Sequence, residues 1–132
     1  MHPHEQAFVD SFVKDARKER VALLLANAKK RRKFVQEFAD HGTYFLRLEC
    51  LRSIEPSQTN ANALHAILRR MGAPETCYVI SESELDEKEM GLLSALKETI
   101  GYGFGTVISC IPGRLGYFEG EVRERFILQK TP

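Results

Sequence analysis

The chain runs from Glu5 to His41 without a single glycine or proline. No other feature of the sequence restricts its folding as much. The stretch is rich in Ala, Leu, Lys, Arg and Glu, which favour helix. Phe8, Val9, Phe12, Val13 and Ala16 recur at helical spacing, as do Val21, Leu24, Leu25, Ala28, Val35 and Phe38. One long helix or two abutting ones are expected over 5–41, with a break inside "KDARKER" (14–20). His41 and Gly42 supply the ending, a cation near the negative pole followed by a residue that accepts positive φ.

Beyond that stretch the pattern changes. "TYFLRLECLR" (43–52) alternates, with Tyr44, Leu46, Leu48 and Cys50 expected on one face of a strand. A loop over 53–60 offers Thr59 or Asn60 as a helix N-cap. Leu64, Ile67, Leu68 and Met71 form the apolar stripe of a short helix that Gly72 and Pro74 terminate. "TCYVIS" (76–81) is β-rich. The acidic "ESELDEKEMG" (82–91) is expected to be a loop leading into a helix that carries Leu92, Leu93, Leu96, Thr99 and Ile100. Three antiparallel strands, 106–111, 114–119 and 123–130, should close the chain. Pro112-Gly113 suits the centre of a type II turn in a loop running through Arg114, and Gly120 suits a tight II′ turn.

These elements predict an α+β fold in one domain over 1–132, with a helical segment (5–41) and a sheet-containing core (43–130). The expected sheet is mixed and five-stranded and ends in an antiparallel meander, with two helices packed on it. The first three strands are compatible with parallel crossovers.

Several function classes are set aside by composition. Apolar residues make up 43% of the chain, charged residues 28%, and there are three cysteines. No apolar run approaches the roughly 20 residues of a membrane span. "MHPHEQAF" lacks the basic start and apolar stretch of a secretory leader, and His2 and His4 beside Pro3 are expected to be disordered. Cys50, Cys77 and Cys110 are an odd, widely spaced set, which predicts free thiols in a reducing, cytoplasmic setting.

"GYGFG" (101–105) has the look of a phosphate loop. Such a loop needs a strand before it and a helix after it, so that a helix N-terminus meets the anion. Here the order is reversed, and Gly101 reads as a helix C-cap. Zinc would need Cys50, Cys77 and Cys110 to gather with His65 or His41, yet no closely spaced ligand pair exists. Glu82, Glu84, Asp86, Glu87 and Glu89 miss the EF-hand spacing. No metal or cofactor is expected.

The strongest functional signal is "KKRRK", Lys29, Lys30, Arg31, Arg32 and Lys33. Five consecutive helical residues sweep roughly 400°, so they cannot share one outer face. The stripe through Leu24, Leu25 and Ala28 should pass through Arg31 or Arg32 before Val35. Three outcomes follow: an Arg snorkels at the core edge, an Arg pairs with an acid, or the helix stands clear and meets an anionic partner. Charge asymmetry supports the pairing. Residues 1–75 carry 13 Lys and Arg against 9 Asp and Glu, whereas residues 76–132 carry 6 against 9. Lys14, Arg17, Lys18 and Arg20 extend the basic character upstream.

Three functions are therefore in play. The first is a non-enzymatic binding or regulatory domain that contacts nucleic acid or an acidic protein through residues 29–33. The second is a small enzyme with a pocket near Cys110, Arg114 and His65. It would need a depressed thiol pKa at Cys110, whereas the plainer expectation is a buried cysteine and a structural histidine. The third is a homodimer joined through Phe8, Phe12, Leu24 and Leu25.

Overall fold

The structure, a computed structural model, describes residues 1–122 and 124–130. Its N-terminal part is a succession of helices: α1 (Pro3–Phe12), α2 (Lys18–Ala26), α3 (Arg31–Asp40) and α4 (Gly42–Phe45). Two breaks divide the expected long helix. The first falls where the charge run suggested. Val13 is extended and bridges to Leu46, Lys14 N–H donates to the Phe45 carbonyl at 2.8 Å, and Arg47 N–H donates to that of Phe12 at 2.8 Å. The returning chain thus satisfies backbone groups that a continuing helix would have used. The second break, at Asn27, is unforeseen. The Asn27 side chain accepts from the backbone N–H of Lys29 (3.0 Å) and Lys30 (3.2 Å), a local turn that competes with helix and starts α3 afresh.

The expected strand over 43–52 is corrected to α4, a single turn at Leu48–Cys50 and the short strand β1 (Leu51–Ser53). Burial explains the error. Phe45 and Leu46 are both buried, while Tyr44 and Leu48 are 51% and 58% exposed, so the apparent alternation does not describe one buried face. Then come α5 (Ala61–Arg70), β2 (Thr76–Ser81), β3 (Glu89–Gly91), α6 (Leu92–Thr99), β4 (Thr106–Ile111), β5 (Leu115–Glu119) and β6 (Arg125–Gln129). Asn60 caps α5 by accepting from Ala63 N–H at 2.9 Å.

The six strands form one sheet in the order β1-β6-β5-β4-β2-β3, and every neighbouring pair is antiparallel. The fold is α+β, but the mixed five-stranded sheet and the parallel crossovers are corrected. The extra strand, β3, comes from the end of the acidic segment and pairs along β2. The last strand was expected from Arg123, which lies outside the described residues; the described strand starts at Arg125.

The meander is held by a tight turn. Arg114 N–H donates to the Ile111 carbonyl at 3.0 Å, and Gly113 has φ +72°, as the third position of a type II turn requires. A register shift between Ser109 and Ile111 reconciles this turn with the twist of the strands. Gly120 does not take the positive φ of the expected II′ turn; the chain opens into a wider loop, with Gly120 N–H on the Glu124 carbonyl at 2.8 Å.

Both faces of the sheet are covered. Tyr78, Ile80, Val107, Phe118 and Leu128 face α1–α4 and pack with Phe8, Phe12, Phe34, Phe38 and Phe45. Cys77, Val79, Ile108, Tyr117 and Ile127 face α5 and α6 and pack with Leu64, Leu68, Leu92 and Leu96. Alternate residues of one strand therefore serve two cores, which is why β4 and β5 are buried almost end to end. Among the described residues no helix is long and apolar enough to cross a membrane.

Candidate functional site

The basic run straddles the second helix break. Lys29 and Lys30 lie in the turn after Asn27, and Arg31, Arg32 and Lys33 open α3. The premise of one uninterrupted helix is thus corrected, because the turn re-aims the first two cations. Arg31, expected among the partner-binding residues, is corrected too. Its side chain is only 8% exposed and is saturated by the protein itself. Nη1 and Nη2 donate to the two carboxylate oxygens of Glu5 at 2.7 and 2.8 Å. Nε and Nη2 donate to Asp86 at 2.8 and 3.0 Å, and Nη1 also reaches the Leu25 carbonyl at 3.1 Å. Burial opposes the charge on Arg31, but the bonds to Asp86 and Glu5 outweigh it and raise its pKa.

This network ties three distant parts of the chain together. Glu5 is buried on α1 and also accepts from the Tyr78 hydroxyl on β2. Burial, and then the bond to Glu5, push the Tyr78 phenol above its usual range. Asp86 further accepts from Ser81 N–H at 2.9 Å, fixing the loop after β2. The N-terminal histidines join in rather than being disordered. His2 stacks on Tyr78 with ring centroids 3.9 Å apart and bonds Glu89 at 2.8 Å, and His4 bonds Ser109 at 2.6 Å. Burial, and then the neighbouring His2, lower the pKa of His4. Pairing with an acid from the C-terminal half was one expectation for the basic run, and Asp86 fits it. Glu5 was missed, since a glutamate in the first turn of a helix is ordinary.

The other four cations differ. Lys29, Lys30, Arg32 and Lys33 are exposed and form no ion pair among the described residues. They surround the positive end of α3. Arg32 borders a cleft of about 300 Å³ between the α2–α3 turn and the loop that holds Glu82, Ser83 and Glu87. The acids near this end of the sheet crowd one another. Hydrogen bonding to Asp40, then burial, then Glu82, push the Glu121 carboxyl up to about 7.

The enzyme candidates do not assemble. Cys110 is buried, and desolvation followed by the proximity of Cys77 drives its thiol pKa upward; burial pushes Cys77 up to about 12. A thiolate nucleophile needs the reverse. Cys110 borders a cleft of about 520 Å³ with His4, Cys77, Glu89 and Pro112, whose lining includes neither His65 nor Arg114. His65 sits on α5 with Nε2 3.5 Å from Glu75, and Arg114 is exposed in the β4–β5 turn. Cys50 belongs to the core on one face of the sheet, whereas Cys77 and Cys110 belong to the other, so the three thiols do not converge. The expected dimer surface is corrected as well. Phe8, Phe12 and Leu25 are buried in the protein's own core, and Leu24 packs against it.

The chain matches no protein-family model, no curated protein and no solved structure.

Proposed function

We propose that this protein is a small non-enzymatic binding or regulatory domain that meets an anionic partner, nucleic acid or an acidic protein, through Lys29, Lys30, Arg32 and Lys33. One observation carries the reading. The fold neutralises a single member of the five-residue basic run, Arg31, and leaves its four neighbours exposed and without an ion pair among the described residues. Clustered like charges repel, and α3 presents its own positive pole to the same place. An anion lying across the α2–α3 turn relieves both. Lysines and an arginine suit backbone phosphates or carboxylates rather than base edges.

The test is fluorescence anisotropy with single-stranded RNA, duplex DNA and a polyglutamate peptide over a salt series. Four phosphate contacts on a duplex give a log–log salt slope of about −3.6. Changing Lys29, Lys30, Arg32 and Lys33 to Gln should abolish most of that slope and weaken binding on every anionic probe. No binding at low salt, or an unchanged affinity in the Gln variant, overturns the proposal.

A further inference from the structure

Exposed aromatic rings stand beside the basic turn. Arg32 shares a cleft of about 410 Å³ with Tyr102 and Phe104, which lie on the segment joining α6 to β4. These rings are 64% and 46% exposed, in a protein whose other aromatic rings mostly pack into two cores. The remaining exposed tyrosine among the described residues, Tyr44, already has the Arg17 guanidinium 4.0 Å over its ring. The segment is tied at both ends. Gly101 N–H donates to the buried Glu119 carboxylate at 3.2 Å, and Thr106 Oγ1 donates to the Phe104 carbonyl at 3.1 Å. Gly101 and Gly103 flank Tyr102 at φ +87° and +75°, where glycine is favoured, so the glycine run shapes an aromatic loop instead of a phosphate loop.

The cations and the rings ask different things of a ligand. Lys29, Lys30, Arg32 and Lys33 need negative charge, whereas Tyr102 and Phe104 need a flat apolar face to cover them. An acidic side chain meets only the first need. A duplex carries the charge but keeps its base faces inside the stack. A single strand offers phosphates and open base faces together, repeated along one chain. The remaining charges of the cleft set its direction. Glu82, Glu84 and Glu98 border the same space. They repel phosphate, so the backbone keeps to Arg32 and the lysines while the bases turn inward over the rings. There a carboxylate can accept from a base amino group.

We infer that the anionic partner is a single-stranded nucleic acid, whose phosphates lie on Lys29, Lys30, Arg32 and Lys33 and whose bases stack on Tyr102 and Phe104. The inference rests on the anion-binding role proposed for the basic turn and names its partner. Every base has a face that can stack, so this surface reads strandedness more than sequence.

Anisotropy titrations of the full chain decide it, with a short oligodeoxycytidylate, an abasic strand of the same length, duplex DNA and polyglutamate as probes. The abasic strand has the phosphates without the bases, and the oligonucleotide should bind about tenfold more tightly than it. Tyr102→Ala with Phe104→Ala should lose about that factor on the oligonucleotide at every salt concentration, with the salt slope and the abasic strand unaffected. Both side chains lie at the surface, and the wild-type comparison of the two strands stands whether or not the variant folds. Changing Lys29, Lys30, Arg32 and Lys33 to Gln should instead flatten the slope. The two readings fail differently. If no probe binds at low salt, or the Gln changes have no effect, both fall. If the Gln changes matter but the abasic strand, the duplex or polyglutamate binds as tightly as the oligonucleotide, the inference alone is overturned. A folded ring variant that binds the oligonucleotide like wild type overturns it too.

Discussion

Replacing Arg31 by methionine removes the group on which Glu5, Tyr78 and Asp86 converge. The cost follows from which partner is stranded. Glu5 has a side chain 3% exposed and loses both guanidinium bonds, keeping only the Tyr78 hydroxyl. Asp86, 23% exposed, keeps Ser81 N–H and gains water. Most of the loss therefore comes from Glu5. Stranding one member of a buried pair costs about 3–5 kcal/mol. With a urea m-value of about 2 kcal/mol/M, the midpoint should fall by roughly 2 M. Lysine at position 31 keeps the charge but cannot fork to two carboxylates, so Arg31→Lys should fall between the two. The informative variant is Glu5→Leu combined with Arg31→Met. It removes both buried charges and should recover to within about 1–2 kcal/mol of wild type, the remainder being the unpaired Tyr78 hydroxyl and Asp86. Reversible urea unfolding followed by circular dichroism measures all three. A loss below about 1 kcal/mol in Arg31→Met, or a double variant no better than the single one, refutes the buried-pair reasoning.

Two further outcomes follow from packing and titration. A Cβ on Gly105 would lie 1.9 Å from the Ala39 Cβ and 3.0 Å from its Cα, so Gly105→Ala must push α3 off the start of β4. It should cost about 1–3 kcal/mol in a thermal melt, and an unchanged melting temperature would contradict that close approach. Glu121 is raised to about 7 in the folded protein, so its contribution to stability is complete below the unfolded carboxyl pKa and is lost as pH rises through about 7. His4 gives the opposite trend, stability falling as pH drops below about 6.5, because its folded pKa is lowered. Asp40→Asn removes the largest cause of the Glu121 shift. It should flatten the decline near neutrality while leaving the acid limb intact, as read from urea midpoints across pH and from carboxyl carbon shifts. A decline of the same size in Asp40→Asn would exclude the Asp40–Glu121 contact as its source.

Much of the chain is legible without coordinates. The stripe of Leu64, Ile67, Leu68 and Met71, the Gly72 stop, the β-rich "TCYVIS" and the Pro112-Gly113 turn all locate their elements, because each depends on neighbours a few residues away. Asn27 shows the limit of that reasoning. Its side chain ends one helix and starts another through two local bonds, yet in sequence it is one polar residue among strong helix formers. Tyr44 to Cys50 shows the other limit. The alternation is real, but the bridge from Val13 to Leu46 and the packing of Phe45 dictate what is buried there.

The sequence by itself determined that a helix through 29–33 could not turn all five cations to one outer face, and it left open an Arg at the core edge, an Arg paired with an acid, or a helix standing clear. Only tertiary structure decided on the pairing, with Arg31 as the cation and Glu5 and Asp86 receiving it, from 26 and 55 residues away. It also decided that every strand pairs antiparallel and that Cys110 is buried in the core that α5 and α6 cover. The physical reason is range. Helix periodicity and turn geometry are short-range and are written in consecutive residues, whereas ion pairing and burial depend on which distant segments the packed core brings together.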